Sequence, residues 1–379
     1  MKADLYSYRF GVNYIPSRNW WYCWNDFCSD SIARDLDVIA SLGADHIRMM
    51  LIWPYFQPNP SFVSPPHLER LNTLVGLARQ RDLDVCASML VGWLSGYSFK
   101  PFFEKGESIY TSERLWEAQE IYFRKVAEVL REHDNFLGFD LGNELDCCWK
   151  TDKLEDGDRW HNRMTDLVHE LFPGHVHVNG VDHRPWLYRN TFSPQNLARS
   201  QKIVAQHSWA YFTGALKQTD GDPLGPPSIH LIDAMAALAR SHAGDASKPV
   251  WIQEYGMGEA WVDKAKIPAF LEEATMNAIG GGVTWFTWWC SHDINPKLAF
   301  NELEYSLGLI TVEQKVKPQG EVFRRLAETY RGRKLDKTKL ENAPLKSPPE
   351  KHDMTATWKW LNEWIGESAA QQALVPDGV

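Results

Sequence analysis

The sequence predicts a single (β/α)8 TIM barrel with a C-terminal helical extension, and three observations carry that prediction. Eight short apolar runs recur along the chain with amphipathic segments between them. Such alternation is the sequence form of a parallel sheet wrapped by helices. Two of the runs, around Phe139 and around Trp251, stop abruptly at Glu144 and Glu254. A carboxylate at the end of a buried strand is costly unless a site uses it. The loop after the first run, Ile15-Pro16-Ser17-Arg18-Asn19-Trp20-Trp21, has no glycine. It cannot cradle a phosphate, which argues against a doubly wound sheet.

Taken in order, the first strand is expected over Phe10–Tyr14, followed by a helix over Ser31–Leu42 that stops at Gly43 as a C-cap. His46–Ile52 is the second strand, and Leu68–Gln80 follows with Leu71, Leu74, Val75 and Ala78 on one helical face. Asp84–Leu90 precedes the longest helix, Glu113–Arg131, which begins behind Thr111-Ser112, residues of the N-cap type. Phe136–Gly142 leads to a helix over His161–Leu171, His175–Val181 is the fifth strand, and Ile203–His207 leads to Ile229–Ser241. Val250–Gln253, a helix over Ile267–Ile279, Gly282–Trp288 and a helix over Gly320–Arg331 complete the barrel, with Gly280-Gly281-Gly282 as a helix stop and tight turn. The barrel is assigned to residues 1–333. Residues 334–379 are assigned to a Lys- and Pro-rich linker and a C-terminal helix over Thr355–Ile365. That helix carries Trp358, Leu361, Trp364 and Ile365 at helical spacing. It is expected to pack on the barrel or on a neighbouring subunit, and so offers a route to a homo-oligomer.

Composition narrows the function classes. The chain of 379 residues has a net charge of -9, whereas nucleic-acid binding needs a basic footprint. No apolar run approaches the ~20 residues that span a membrane. Met1-Lys2-Ala3-Asp4-Leu5 has no apolar signal segment, so a cytoplasmic location is expected. The six cysteines, Cys23, Cys28, Cys86, Cys147, Cys148 and Cys290, show no C-x-x-C spacing and read as reduced thiols. Asp45-His46, Asp182-His183 and His292-Asp293 lack a coherent ligand spacing. Neither a metal nor another cofactor is expected. Tryptophan is abundant, with 18 residues, and many, including Trp20, Trp21, Trp93, Trp209 and Trp288, fall at strand ends or in the loops after them. Sugars stack on such rings, so an aromatic-lined cleft is expected.

Catalytic side chains of a barrel come from the C-terminal ends of its strands. Those ends supply Asn13, Arg48, Trp93, Asn143, Glu144, His207, Trp209, Glu254 and Trp288. The set has two carboxylates and no nucleophilic Ser, Cys or Lys. That suits glycosidic bond cleavage, in which one carboxyl donates a proton while the other is ionised.

Arg on strand 2, Asn-Glu on strand 4, His-x-aromatic on strand 6, Glu-aromatic-Gly on strand 7 and Trp on strand 8 together resemble the retaining glycoside hydrolases of clan A, most closely family 5. The resemblance covers roughly residues 10–330, and the two glutamates with Asn143 are its specific part. It implies Glu144 as general acid/base, Glu254 as nucleophile and Asn143 as the partner of the sugar 2-hydroxyl. It also implies that Arg48 holds Glu254 ionised and that Trp288 floors the −1 subsite. Two departures stand out. Strand 3 ends in Ser88-Met89-Leu90-Val91-Gly92-Trp93 without the usual His, which looks like the mannan-acting members. Strand 6 carries His207-Ser208-Trp209 in place of His-x-Tyr, so the tyrosine that touches the nucleophile is either missing or supplied by Tyr211 or Tyr255.

The expectation is a retaining exo-β-glycosidase, a β-mannosidase acting on small β-1,4-linked manno-oligosaccharides such as Man-β-1,4-GlcNAc. The alternatives are an endo-β-mannanase or β-glucanase and, in another class, a non-catalytic sugar-binding barrel.

Overall fold

Arg9–Asn13 (β1), His46–Ile52 (β2), Asp84–Val91 (β3), Phe136–Asn143 (β4), Val178–Gly180 (β5), Val204–His207 (β6), Val250–Tyr255 (β7) and Trp285–Trp288 (β8) form one parallel sheet in the computed structural model. The model describes residues 3–298 and 301–372. The strands run β5-β4-β3-β2-β1-β8-β7-β6. Pairing of β1 with β8, Phe10 opposite Phe286, joins the first strand to the last. β5 and β6 are neighbours without a hydrogen-bonded ladder between them. Every residue of β2, β4 and β7 is buried, which is why these strands read as continuous apolar runs rather than as alternating ones.

Around the sheet lie α1 (Ser29–Ser41), α2 (Pro65–Arg79), α3 (Glu113–Leu130), α4 (Leu154–Leu171), α5 (Pro194–Ser200), α6 (Leu231–Ala243), α7 (Ile267–Gly280) and α8 (Pro318–Tyr330). The apolar stripe of α1, Ile32, Leu36 and Ile39, is buried against the barrel. The Ser112 hydroxyl caps α3 by accepting from Leu115 N–H at 3.3 Å. α4 starts seven residues before the expected His161, at Leu154. Its first turn bears Glu155 and Asp156, acids that suit a helix N-terminus but leave no apolar period to read. No helix among the described residues is long and apolar enough to cross a membrane.

A final helix, α9 (Met354–Gln372), buries Trp360, Leu361 and Ile365. Trp358 Nε1 donates to Thr213 O at 3.0 Å in the loop after β6, and His352 Nε2 donates to Pro185 O at 2.9 Å in the loop after β5.

Inside the barrel the layers differ in chemistry. The lower layer is apolar, with Cys86, Leu137, Val178, Ala205, Trp251 and Trp285 packed together. The Thr287 hydroxyl meets Trp251 Nε1 and His46 Nε2, each at 2.7 Å. Above this plug, towards the C-terminal strand ends, the interior turns polar.

Candidate active site

Arg48 organises the polar layer. The two-residue period of β2 turns His46 and Arg48 inward and Ile47 and Met49 outward into the helix-facing core. Arg48 is fully buried. Its Nη1 donates to Glu254 Oε1 (2.6 Å) and Asn13 Oδ1 (2.9 Å). Its Nη2 donates to Asp140 Oδ2 (2.7 Å) and Asn143 Oδ1 (2.7 Å), and Nε reaches the same Asp140 oxygen at 2.9 Å. Two carboxylates on one guanidinium offset the cost of burying its charge. Asp140 is satisfied in turn by Ser88 Oγ at 2.7 Å and Gly180 N–H at 2.8 Å. Gly180 is needed here: a Cβ would come within 2.9 Å of Arg48 Nη2 and 2.6 Å of Gln253 Oε1.

Glu144 follows β4 in the left-handed region, with φ 46° and ψ 48°. Such backbone strain in a residue other than Gly collects at functional sites, and here the Glu144 N–H donates to Gly180 O at 2.7 Å. Its Oε1 lies 2.9 Å from His207 Nδ1, while His207 Nε2 lies 3.1 Å from Gln253 Oε1. Trp209 Nε1 donates to Glu254 Oε2 at 3.3 Å. One carboxylate oxygen from each glutamate and one ring nitrogen of His207 all lie within 4.8 Å of one another.

Burial sets the protonation of this group. Glu144 is pushed well above the usual carboxylate range, first by burial and then by the charges of Asp182 and Asp146. Burial also raises Glu254, to about 7, against the downward pull of His207 and Arg48. Arg48 lowers the Glu254 pKa, as expected, but burial outweighs that pull. Glu254 is bonded directly to a guanidinium, whereas at Glu144 burial and the Asp182 and Asp146 carboxyls outweigh the pull of His183 and Arg184. Burial lowers the His207 pKa, against the upward pull of Glu254 and Asp140.

The cleft above these groups has a volume of about 310 Å³, within the roughly 300–1,000 Å³ of small-ligand sites. Trp93, Asn143, Glu144, Trp209 and Glu254 line it, as read from the sequence. Three expected tryptophans do not. Trp288 is fully buried. The period of β8 turns Trp285 and Thr287 inward, so Trp288 points outward. There it packs on Tyr255 and donates Nε1–H to Leu307 O at 2.9 Å. The next residue, Trp289, lines the cleft in its place. Trp20 and Trp21 fold into a short 3-10 helix, Trp20–Trp24, and are buried. Trp21 packs edge-on against Tyr97 and Phe99, behind the β-hairpin that follows Trp93.

Neither Tyr211 nor Tyr255 reaches Glu254. Tyr211 stacks on Trp261 at the surface, and Tyr255 OH meets Thr275 Oγ1 at 3.0 Å. Trp209 makes that hydrogen bond instead. Sequence reasoning passed over Asp140, although an Asp inside an apolar strand signals a buried cation nearby. It also passed over Asp182, Arg184, Tyr188 and Glu304, which line the cleft from loops and show no period.

Comparison with protein-family models gives no match, and no curated protein matches by sequence. Solved structures do match. An Ala-for-Glu variant of GH5_18 from Streptomyces cattleya, in complex with Manβ1-4GlcNAc, is 30% identical over 96% of this chain and 92% of its own, with a TM-score of 0.86. A GH5_18 variant from Bifidobacterium longum subsp. longum, in complex with the same disaccharide, is 25% identical over 96% of this chain and 89% of its own, with a TM-score of 0.83. An exo-β-1,4-mannosidase from Opitutaceae bacterium strain TAV5 is 25% identical over 86% of this chain and 60% of its own, with a TM-score of 0.73. With a barrel of this form and a solved relative matched along almost its whole length, the chain belongs to the GH5_18 glycoside hydrolases of family 5 in clan A.

Proposed function

We propose that this hydrolase is a retaining exo-β-mannosidase acting on small β-1,4-linked manno-oligosaccharides such as Man-β-1,4-GlcNAc. The spacing of Glu144 and Glu254 carries the mechanism. Retaining glycosidases hold their two carboxyl groups roughly 5–5.5 Å apart, whereas inverting enzymes leave roughly 6.5–9.5 Å for a water. Carboxylate oxygens within 4.8 Å of each other fit the first class. Glu254, paired with Arg48 and Trp209, ionises first and attacks the anomeric carbon. Glu144, between anions, keeps its proton for the leaving oxygen and then activates water. With Nε2–H given to Gln253, the neutral His207 ring has a bare Nδ1 that accepts the Glu144 proton's hydrogen bond. The Asn143 amide is held by Arg48 and by Trp93 O, leaving its second N–H for the sugar 2-hydroxyl.

The substrate reading draws on the disaccharide in the two GH5_18 complexes and on the exo-mannosidase neighbour. All six cysteines are free, which fits the cytoplasmic site of action expected for an imported oligosaccharide. The test is hydrolysis of p-nitrophenyl β-mannoside beside the β-glucoside, with the product followed by NMR. Mannoside cleavage with β-mannose released first is expected. Release of the α-anomer overturns retention, and cleavage of the glucoside alone overturns the sugar assignment.

The ionisation order also fixes a pH profile. Glu254 must be an anion, so kcat/KM falls as pH drops through about 7. Glu144 must be protonated, so kcat/KM falls again at higher pH, as that raised carboxyl ionises. A bell with its acid limb near neutrality is expected from initial rates on the aryl mannoside. A profile flat from pH 5 to 8 would contradict the assignment.

A further inference from the structure

The cleft holds a third carboxyl that double displacement does not use. Glu304 ends a short 3-10 turn, Glu302–Glu304, in the loop after β8, and Asn301 Oδ1 caps the turn by accepting from Leu303 N–H at 3.1 Å. Glu304 lines the cleft together with Trp289 and with Ser95 and Gly96 of the hairpin after β3. Its side chain is buried, and its Oε2 has no hydrogen-bond partner. The Ser95 hydroxyl and the Trp289 indole face the carboxyl and lower its pKa, but burial outweighs them and pushes it up to about 7. Lys317, which donates to Ser306 O beneath the same loop, pairs with Glu259 and Asp293 instead. A buried carboxylate oxygen without a partner, here Oε2, is costly. Sugar hydroxyls are the donors that complete it.

Its place in the cleft says which sugar. The loop after β8 and the hairpin after β3 meet above β1 and β2, where Asn301 Nδ2 comes within 3.4 Å of a Cβ built on Gly96. In the ring, this lies across from β5 and β6, whose loops supply Asp182, Arg184, Tyr188 and Phe212 and are joined at the cleft by Met354. Glu144, the proton donor to the leaving group, adjoins that second side through Cys147 and Asp182. Glu254 adjoins Trp289 through the pairing of β7 with β8, where Trp289 N–H donates to Tyr255 O at 2.9 Å. The sugar attacked by Glu254 therefore lies on the Trp289–Glu304 side.

We propose that Glu304 recognises the terminal sugar: its carboxylate accepts hydrogen bonds from two adjacent hydroxyls of that sugar, and the loop that carries it ends the cleft beyond them. This rests on the glycosidase reading above and names the determinant of exo action. The experiment uses aryl β-mannoside and its 3-, 4- and 6-deoxy analogues on wild type, Glu304→Gln and Glu304→Ala. In wild type, loss of a contacted hydroxyl is expected to lower kcat/KM about 10- to 100-fold, the range for hydrogen bonds to charged groups. In Glu304→Ala the parent mannoside is expected to fall at least as far, and the same deoxy analogue should then match the parent within about threefold. Glu304→Gln keeps the side-chain volume and should lose about tenfold on the parent with unchanged thermal unfolding. A deoxy penalty that survives in Glu304→Ala at every position overturns the proposal. So does a loss confined to Glu304→Ala with a lowered melting temperature, which would make Glu304 a packing residue. Wild type inactive on both the aryl mannoside and Man-β-1,4-GlcNAc removes the underlying reading, an outcome visible before any variant is made.

Discussion

Glu254→Gln is expected to lower kcat on aryl β-mannosides by on the order of 10⁵-fold, the scale seen when a nucleophile is removed from a covalent mechanism. The change is isosteric, so Arg48 keeps a partner at Oε1 and Trp209 keeps its neighbour. What disappears is the negative charge that attacks carbon. The fully buried Arg48 then faces Asp140 alone, and a guanidinium with one carboxylate is still paired, so folding should survive. Steady-state rates beside a thermal melt check this. Turnover within tenfold of wild type would remove Glu254 from the chemistry.

The second large effect depends on the leaving group. Glu144→Ala is expected to lower kcat/KM on Man-β-1,4-GlcNAc by about 10³- to 10⁴-fold, the upper range for general acid catalysis. A sugar alkoxide leaves poorly without a proton. A dinitrophenolate leaves well without one, so dinitrophenyl β-mannoside should lose far less in the first step and then stall as a glycosyl-enzyme. Azide, which needs no general base, should restore its turnover. Equal losses on both substrates, with no response to azide, would make Glu144 a structural residue.

These two residues were legible in the sequence because each breaks a pattern. An apolar strand that ends in Asn143-Glu144 or in Glu254 advertises a function, and burial of β2, β4 and β7 made their spans readable almost to the residue. Where burial is only local, the sequence says less. The fifth strand shrinks from the expected His175–Val181 to Val178–Gly180. α5 has seven residues, too few to display a helical period. Trp288 and Trp289 are adjacent, and only the pleat decides which faces the cleft. Trp20 and Trp21 satisfied the expectation of ring-lined walls in composition but not in direction. Glu304 carries no signal at all, since its setting depends on two loops that are some 200 residues apart in sequence.

The missing ladder between β5 and β6 has a mechanical consequence. A barrel normally resists opening because backbone hydrogen bonds run around its whole circumference. Here that circuit is broken at one point, beneath the loops that supply Asp182, Arg184 and Phe212. Across the gap lies the C-terminal segment, holding the loop on one side through His352 and the loop on the other through Trp358. Load at the gap passes through this clasp and through side-chain packing rather than through strand pairing. Trimming the end of the chain thus removes a member of the hoop itself, and the side of the cleft lined by Asp182, Arg184 and Phe212 is the side it holds shut.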